Sequence, residues 1–133
     1  MFKIDHIGIA VNSLLASVPA FEAMLGVNPA GRETVPAEDV EVVFFGHGQG
    51  RIELLEPGSP DSPIARFLER RGQGLHHVCL SVPDMDEALA RLARSDILPI
   101  APGVRTGAGG RPVAFLHPRD CGGVLLELVE TVY

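Results

Sequence analysis

The chain has 133 residues, 46% hydrophobic and 21% charged, the balance of one soluble globular domain large enough to bury a proper core. A net charge of −6 and a pI near 5.3 exclude the basic footprint of a nucleic-acid binder, and no run approaches the about 18 apolar residues of a membrane span. Cys79 and Cys121 are the only cysteines, one inside a strand and one in a Gly-rich turn, so a reduced, cytoplasmic protein without a disulfide is expected. Met1 stands directly before the first strand, so no signal or transit peptide is expected.

Residues 2–11 alternate as a strand, with Ile7, Ile9 and Val11 on one face and His6, Gly8 and Ala10 on the other. Residues 13–25 read as a helix through Leu14, Val18, Phe21, Met24 and Leu25. Pro19 is an obstacle, because an interior proline removes a hydrogen bond and clashes with the preceding turn. Making Ser17 the cap places Pro19 in the first turn and avoids the clash. Gly26 suits the helix end. A short strand at Gly31 to Val35, a turn at residues 36–39 and a strand at Val40 to Phe45 follow. The loop 46–50 then leads into the strand bearing Glu53. Ser62 caps a helix that starts at Pro63 and carries Ile64, Phe67 and Leu68.

The second half repeats this plan. A strand at residues 76–82 precedes an amphipathic helix with Met85, Ala88, Leu89, Leu92 and Ala93 on one stripe. Asp84 is its expected N-cap, with Glu87 as capping-box partner. Residues 98–100 read as a short strand, 107–110 as a loop, and 112–117 and 124–130 as strands. The repeat is visible in the residues themselves. The stretch from Ile4 to Val11 superimposes on the stretch from Leu75 to Val82 at an offset of 71, which sets His6 on His77. Arg51-Ile52-Glu53-Leu54-Leu55-Glu56 echoes Leu125-Leu126-Glu127-Leu128-Val129-Glu130 at an offset of 74, which sets Glu53 on Glu127.

Two His and two Glu placed by an internal duplication point to one divalent metal site made of His6, His77, Glu53 and Glu127. Imidazole and carboxylate together suit Zn, Co, Ni, Mn or Fe, so the donor set does not name the metal. His6 shares its strand face with Gly8 and Ala10, and His77 with Cys79 and Ser81. Such small neighbours leave an open pocket where a packed core would want bulk. Taken singly, each histidine reads as an ordinary half-buried residue, and only the register across both halves argues for a site. His76 matches Asp5 and faces away from His77, which suits packing or support of a ligand. His47 lies in a loop, and His117 precedes a proline at a strand end, where a structural role is at least as good a reading. Gly107-Ala108-Gly109-Gly110-Arg111 offers backbone N–H groups and a cation to an anion, though a plain turn is the simpler reading. Arg66, Arg70 and Arg71 read as a solvated face, with contact to a phosphate-bearing ligand as the alternative.

At these residues the chain resembles the methylmalonyl-CoA epimerases, a family of the vicinal oxygen chelate superfamily that also holds glyoxalase I. The likeness spans almost the whole chain. It rests on Asp5-His6-Ile7-Gly8-Ile9-Ala10-Val11, Glu53-Leu54-Leu55-Glu56-Pro57, residues 61–68, Gly74-Leu75-His76-His77, residues 107–111 and residues 115–128. Segments 61–68 and 115–128 are the parts most particular to the epimerases.

The resemblance implies an α+β fold: a single domain over 1–133 built of two βαβββ modules, about 1–73 and 74–133, whose curved mixed sheet surrounds one divalent ion. It further implies a homodimer, an acyl-CoA substrate and inversion at C2 of methylmalonyl-CoA. The ligands carried over are His6, His77 and Glu127, with Glu53 at a place where some epimerases have glutamine. A glutamate that some members carry on the third strand falls here on Val42, and Glu41 beside it faces the other way. Inversion at carbon is easiest with two carboxylates on opposite faces of a planar intermediate, one as base and one as acid. Glu53 and Glu127 are the expected pair. A glyoxalase I-like lyase shares the His–Glu–His–Glu set, and a non-catalytic ligand-binding protein of the same fold is the rival from another class.

Overall fold

The computed structural model describes residues 2–131, and the reading of Met1 lies outside the described residues. The first half contains β1 (Lys3–Ala10), α1 (Leu14–Leu25), β2 (Gly31–Val35), β3 (Val40–Phe45) and β4 (Arg51–Pro57). Helix α2 (Pro63–Arg71) connects it to β5 (Gly74–Val82), α3 (Met85–Ala93), β6 (Arg105–Thr106), β7 (Pro112–Leu116) and β8 (Leu126–Glu130). All eight strands join one sheet in the order β2-β3-β4-β1-β5-β8-β7-β6. Read inward from either edge, each half runs second strand, third, fourth, first. The halves meet where β1 and β5 pair antiparallel, while β1 pairs β4 and β5 pairs β8 in parallel. The expected curled, mixed α+β sheet is therefore present. No helix among the described residues is long and apolar enough to cross a membrane.

Two glutamate pairs tie the helices to this frame. Glu53 and Glu56 stand three apart on β4, so they face opposite sides of the sheet. Glu56 accepts a hydrogen bond from the Leu14 N–H at 2.9 Å, and Glu130 accepts one from the Met85 N–H at the same distance. Each carboxylate satisfies an otherwise orphaned donor at a helix N-terminus and complements its dipole. The first glutamate of each pair is left facing inward.

Helix α1 lays Leu14 on Val43, Phe45 and Leu54 of the outer sheet face, and burying Leu14 and Leu54 fully contributes about 1.5–3 kcal/mol each. Helix α3 covers Ala114, Leu116 and Leu128 in the same way. The inner face packs Ala10, Val42 and Leu55 against Ile64 of α2.

Three expectations need correction. Ser13, not Ser17, caps α1 by accepting from the Ala16 N–H at 3.2 Å, so Pro19 lies inside the helix. Val18 and Phe21 of that turn pack against the sheet, and Leu15 on the far face is exposed. Gly26 ends the helix as expected, at φ 70°. Residues 98–100 make only an isolated bridge, Pro99 to Leu116, and the sheet edge is the two-residue β6 instead. The last strand begins at Leu126, because residues 121–125 turn through Gly122 and Gly123 at positive φ. Ser62 and Asp84 cap α2 and α3 as expected.

Candidate metal centre and active site

Strands β1 and β5 set His6 opposite Cys79 and Gly8 opposite His77. The small residues are what let the rings fold inward. A Cβ on Gly8 would stand 2.1 Å from Cε1 of His77, a distance no side chain tolerates. The two rings meet edge to face with centroids 5.2 Å apart, and their Nε2 atoms stand 3.1 Å apart. Glu127 Oε1 completes the triangle, 3.2 Å from His6 Nε2 and 3.1 Å from His77 Nε2.

Strict alternation places Asp5 and His76 on the opposite face from the histidines. The structure corrects this through two β-bulges. Pairing runs from Ile4–Leu80 directly to His6–Cys79, which leaves Asp5 extra on β1, and from Gly8–His77 to Ile9–Leu75, which leaves His76 extra on β5. A bulge re-aims the side chains around it. Asp5 is thereby wholly buried and accepts the His6 Nδ1 proton at 2.7 Å, while Nδ1 of His76 lies 3.0 Å from Nδ1 of His77. Each histidine has its outer nitrogen held by the residue before it and its inner nitrogen turned to the centre. Arg51 and Arg111 donate to Asp5 at 2.8 and 3.2 Å, so Arg111 of the glycine loop is engaged inside the protein.

The two glutamates differ. Burial would raise the Glu127 pKa, but its hydrogen bonds with His6 and His77 outweigh burial and lower it to about 2. Burial raises the Glu53 pKa, only partly offset by the positive field of His6. Glu53 Oε2 is buried, lies 3.2 Å from His6 Nδ1 and forms no hydrogen bond, because Asp5 holds that proton. Burial would lower the His6 pKa, yet Asp5, Cys79, Glu127 and Glu53 together raise it to about 12.

These features fit a cation. The donor atoms of His6, His77 and Glu127 all lie within 4.8 Å of one another, and their separations of 3.1 to 3.2 Å match neighbouring ligands held at about 2.1 Å. Outer hydrogen bonds on both imidazoles are the usual support of a metal-bound histidine. Glu53 stands on the Nδ1 side of His6, apart from that triangle. Asp5, His6 and Cys79 also cluster, but Asp5 is engaged by Arg51 and Arg111, and burial raises the Cys79 thiol to about 12.

A cavity of about 80 Å³ opens above the triangle, with Glu53, Glu127, Val42 and Phe115 on its walls. Val42 thus gives this wall an apolar side chain where a glutamate would have supplied another carboxylate, and Glu41 faces outward to Arg32 and Thr34 as the alternation required. His47 and His117 stand outside this cavity; His117 caps a turn by accepting from the Arg119 N–H at 3.1 Å. Glu38 also lines the cavity, 3.5 Å from Arg105 of the other half, and burial raises its pKa despite that arginine. It lies in a turn outside the repeat, and no sequence signal marks it.

Residues 5–115 match the family described as the Glyoxalase/Bleomycin resistance protein/Dioxygenase superfamily. The chain belongs to this superfamily. It is 39% identical to the mitochondrial methylmalonyl-CoA epimerase of Homo sapiens, covering 96% of this chain and 73% of that protein. It is 38% identical to the ethylmalonyl-CoA/methylmalonyl-CoA epimerase of Cereibacter sphaeroides, covering 96% and 97%. A Streptomyces coelicolor methylmalonyl-CoA epimerase variant, solved in complex with 2-nitronate-propionyl-CoA, superposes with a TM-score of 0.91 at 32% identity, covering 98% of this chain and 94% of that one.

Proposed function

We propose that the chain is a divalent-metal-dependent methylmalonyl-CoA epimerase, with His6, His77 and Glu127 as ligands and Glu53 and Glu127 as the proton-transfer pair. The observation that carries this reading is the placement of two buried carboxylates with opposed pKa shifts on the walls of one small cavity beside a cation-fitting triangle. The relatives named above support the substrate class. A bound cation supplies Lewis acidity toward the oxygens of the thioester and carboxylate, which lowers the cost of negative charge there.

The chain's own groups handle the proton. Glu127, held as a standing anion, accepts the C2 proton of the epimer that presents it on that side. The C–H electron pair spreads into the thioester and carboxylate. Glu53, whose raised pKa suits a donor, returns a proton to C2 from the opposite face, and the reverse reaction exchanges the roles. The cavity's apolar walls exclude water that would quench the carbanion without control of face.

The test is incubation of metal-loaded protein with one epimer of methylmalonyl-CoA in deuterated solvent. Inversion with deuterium at C2 is expected. Formation of lactoylglutathione from the hemithioacetal, without inversion of the CoA ester, would assign the chain to the glyoxalase I-like reaction. Binding without turnover of either would make it a ligand-binding member. The same reading carries a homodimer, checked by light scattering.

A further inference from the structure

Asp5 is held by two guanidinium groups, one from each half of the chain. Arg51 donates to its Oδ2 at 2.8 Å, the oxygen that also accepts from His6, and Arg111 donates to its Oδ1 at 3.2 Å. One guanidinium balances one carboxylate, so charge alone does not account for the second. The two arginines differ in what they are attached to. Arg51 belongs to β4 and pairs opposite His6, whereas Arg111 closes the loop 107–110, whose Gly107 and Ala108 line the reactive cavity. That loop is intrinsically loose. Gly109 and Gly110 both stand at positive φ, and glycine loses more conformational freedom on ordering than any other residue. The Gly107 N–H donates to the Arg111 carbonyl at 2.9 Å, which closes the turn only on itself. The mostly buried Arg111 side chain reaches Asp5 and, at 3.3 Å, the Glu130 carbonyl. It therefore moors the loop to β1 and β8, the strands that carry His6 and Glu127.

We propose that Arg111 is a positioning residue that fastens the cavity-lining loop 107–110 to the metal centre through Asp5, so that order in the loop and the hold on the ion rise and fall together. The inference rests on the metal reading of the triangle and extends it. The path is short and continuous: His6 Nδ1 to Asp5, Asp5 to Arg111, Arg111 to the loop. Fixing the His6 ring fixes Asp5, and a fixed Asp5 leaves the Arg111 fork one place to dock. By linkage, a loop that orders when the centre fills makes the centre easier to fill. A guanidinium meets a carboxylate with two N–H groups in a rigid plane, while a lysine brings a single point charge. Arg111→Lys thus restores the charge and only part of the placement.

The test joins hydrogen–deuterium exchange over residues 105–112 to cobalt(II) titration, on the native chain, Arg111→Met and Arg111→Lys. Circular dichroism checks that each variant folds, and Arg111→Lys carries the test should Arg111→Met fail to fold. Cobalt should slow exchange of the loop about tenfold in the native chain. In Arg111→Met the loop should exchange fast with or without cobalt, and cobalt affinity should fall about 10-fold. The visible absorption of its bound cobalt should change as His6 loses its fixed orientation, and Arg111→Lys should recover part of each effect. Loop exchange that ignores cobalt in the native chain overturns the coupling. So does a folded Arg111→Met, or Arg111→Lys in its place, that matches the native chain in loop exchange or in cobalt affinity. A native chain that takes up no cobalt overturns the metal reading itself, which sets that failure apart from equal cobalt binding by native chain and variant.

Discussion

Glu53 on β4 and Glu127 on β8 come from matching places in the two halves and end in opposite electrostatic states. Both face inward on a strand parallel to the one carrying a histidine, Arg51 opposite His6 on one side and Glu127 opposite Cys79 on the other. Glu127 reaches the Nε2 atoms of both rings, and these contacts lower its pKa to about 2. Glu53 reaches only the Nδ1 edge of His6, where Asp5 has taken the proton, and burial raises its pKa. A duplication thus supplies two identical side chains, and a difference in reach holds Glu127 ionised while the Glu53 pKa rises. In the proposed reaction both carry a proton, Glu127 first as base and Glu53 first as acid.

The sharpest way to break the comparison is to remove the centre that both halves share. His77→Ala leaves Glu127 with one imidazole and is expected to abolish stoichiometric metal and reduce epimerisation to background, with the fold retained by circular dichroism. His6→Ala should do the same. Metal analysis of the purified variants decides, and full metal content in either would remove that residue from the site.

The next largest effect falls on the first half alone. Glu53→Gln should keep the metal, since Glu53 lies apart from the donor triangle, and should lose about 10²–10⁴-fold in epimerisation. Its residual chemistry should be one-sided: Glu127 still exchanges the C2 proton of one epimer with deuterated solvent, without inversion. Near-normal inversion by this variant would remove Glu53 from the pair. Glu38, on the same cavity wall, would then be the group to substitute.

How much of this was legible in the sequence follows from what repeats encode. The offsets of 71 and 74 set His6 on His77 and Glu53 on Glu127, and alternation placed Glu41 outside and Val42 inside. Alternation fails wherever a strand gains a residue, and that is where Asp5 and His76 sit. Asp5-His6 and His76-His77 look like ordinary consecutive pairs with opposite facing. Nothing in an isolated strand shows that its neighbour will leave Asp5 and His76 extra, so the support of His6 by Asp5 was missed, and His76, legible as packing or support of a ligand, was placed on the wrong face. The approach of β2 to the loop after β6, where the Gly109 N–H meets Glu33 at 2.8 and 2.9 Å, is long-range and equally invisible.

Asp5 gives a test of moderate size. Asp5→Asn keeps the shape but weakens the hold on His6 Nδ1, and outer-shell losses of this kind cost about 10–100-fold in metal affinity. The pH dependence adds a sign. A histidine raised from 6.5 to about 12 stabilises the chelator-treated fold fully below about 6.5 and loses that contribution as pH climbs toward about 12. The same proton must leave when an ion binds, so apparent metal affinity rises with pH, by up to about tenfold per unit. In Asp5→Asn the rise should be shallower, because the largest favourable contact of the protonated ring is weakened. Competition with a chromogenic chelator across about pH 6 to 9 measures both effects. An unchanged slope would show that Asp5 does not set the charge of His6.

The smallest expected effect separates the two cross-strand neighbours of the histidines. Gly8 and Cys79 hold equivalent places in the duplication, each opposite the other half's histidine. They are not interchangeable. A Cβ at Gly8 would meet the His77 ring at 2.1 Å, so Gly8→Ala must push that ring off the centre. Metal affinity should fall on the scale of an outer-shell loss, about 10–100-fold, although no ligand has been touched. Cys79 already has a Cβ beside His6, and it stands outside the triangle of His6, His77 and Glu127. Cys79→Ala should therefore keep the metal and the turnover, and cost only the packing of one sulfur, about 1 kcal/mol of stability. Calorimetric melting and metal titration of the two variants side by side give the answer. Equal metal loss in both would mean that the thiol is a ligand, and that the second half contributes more to the centre than His77 and Glu127.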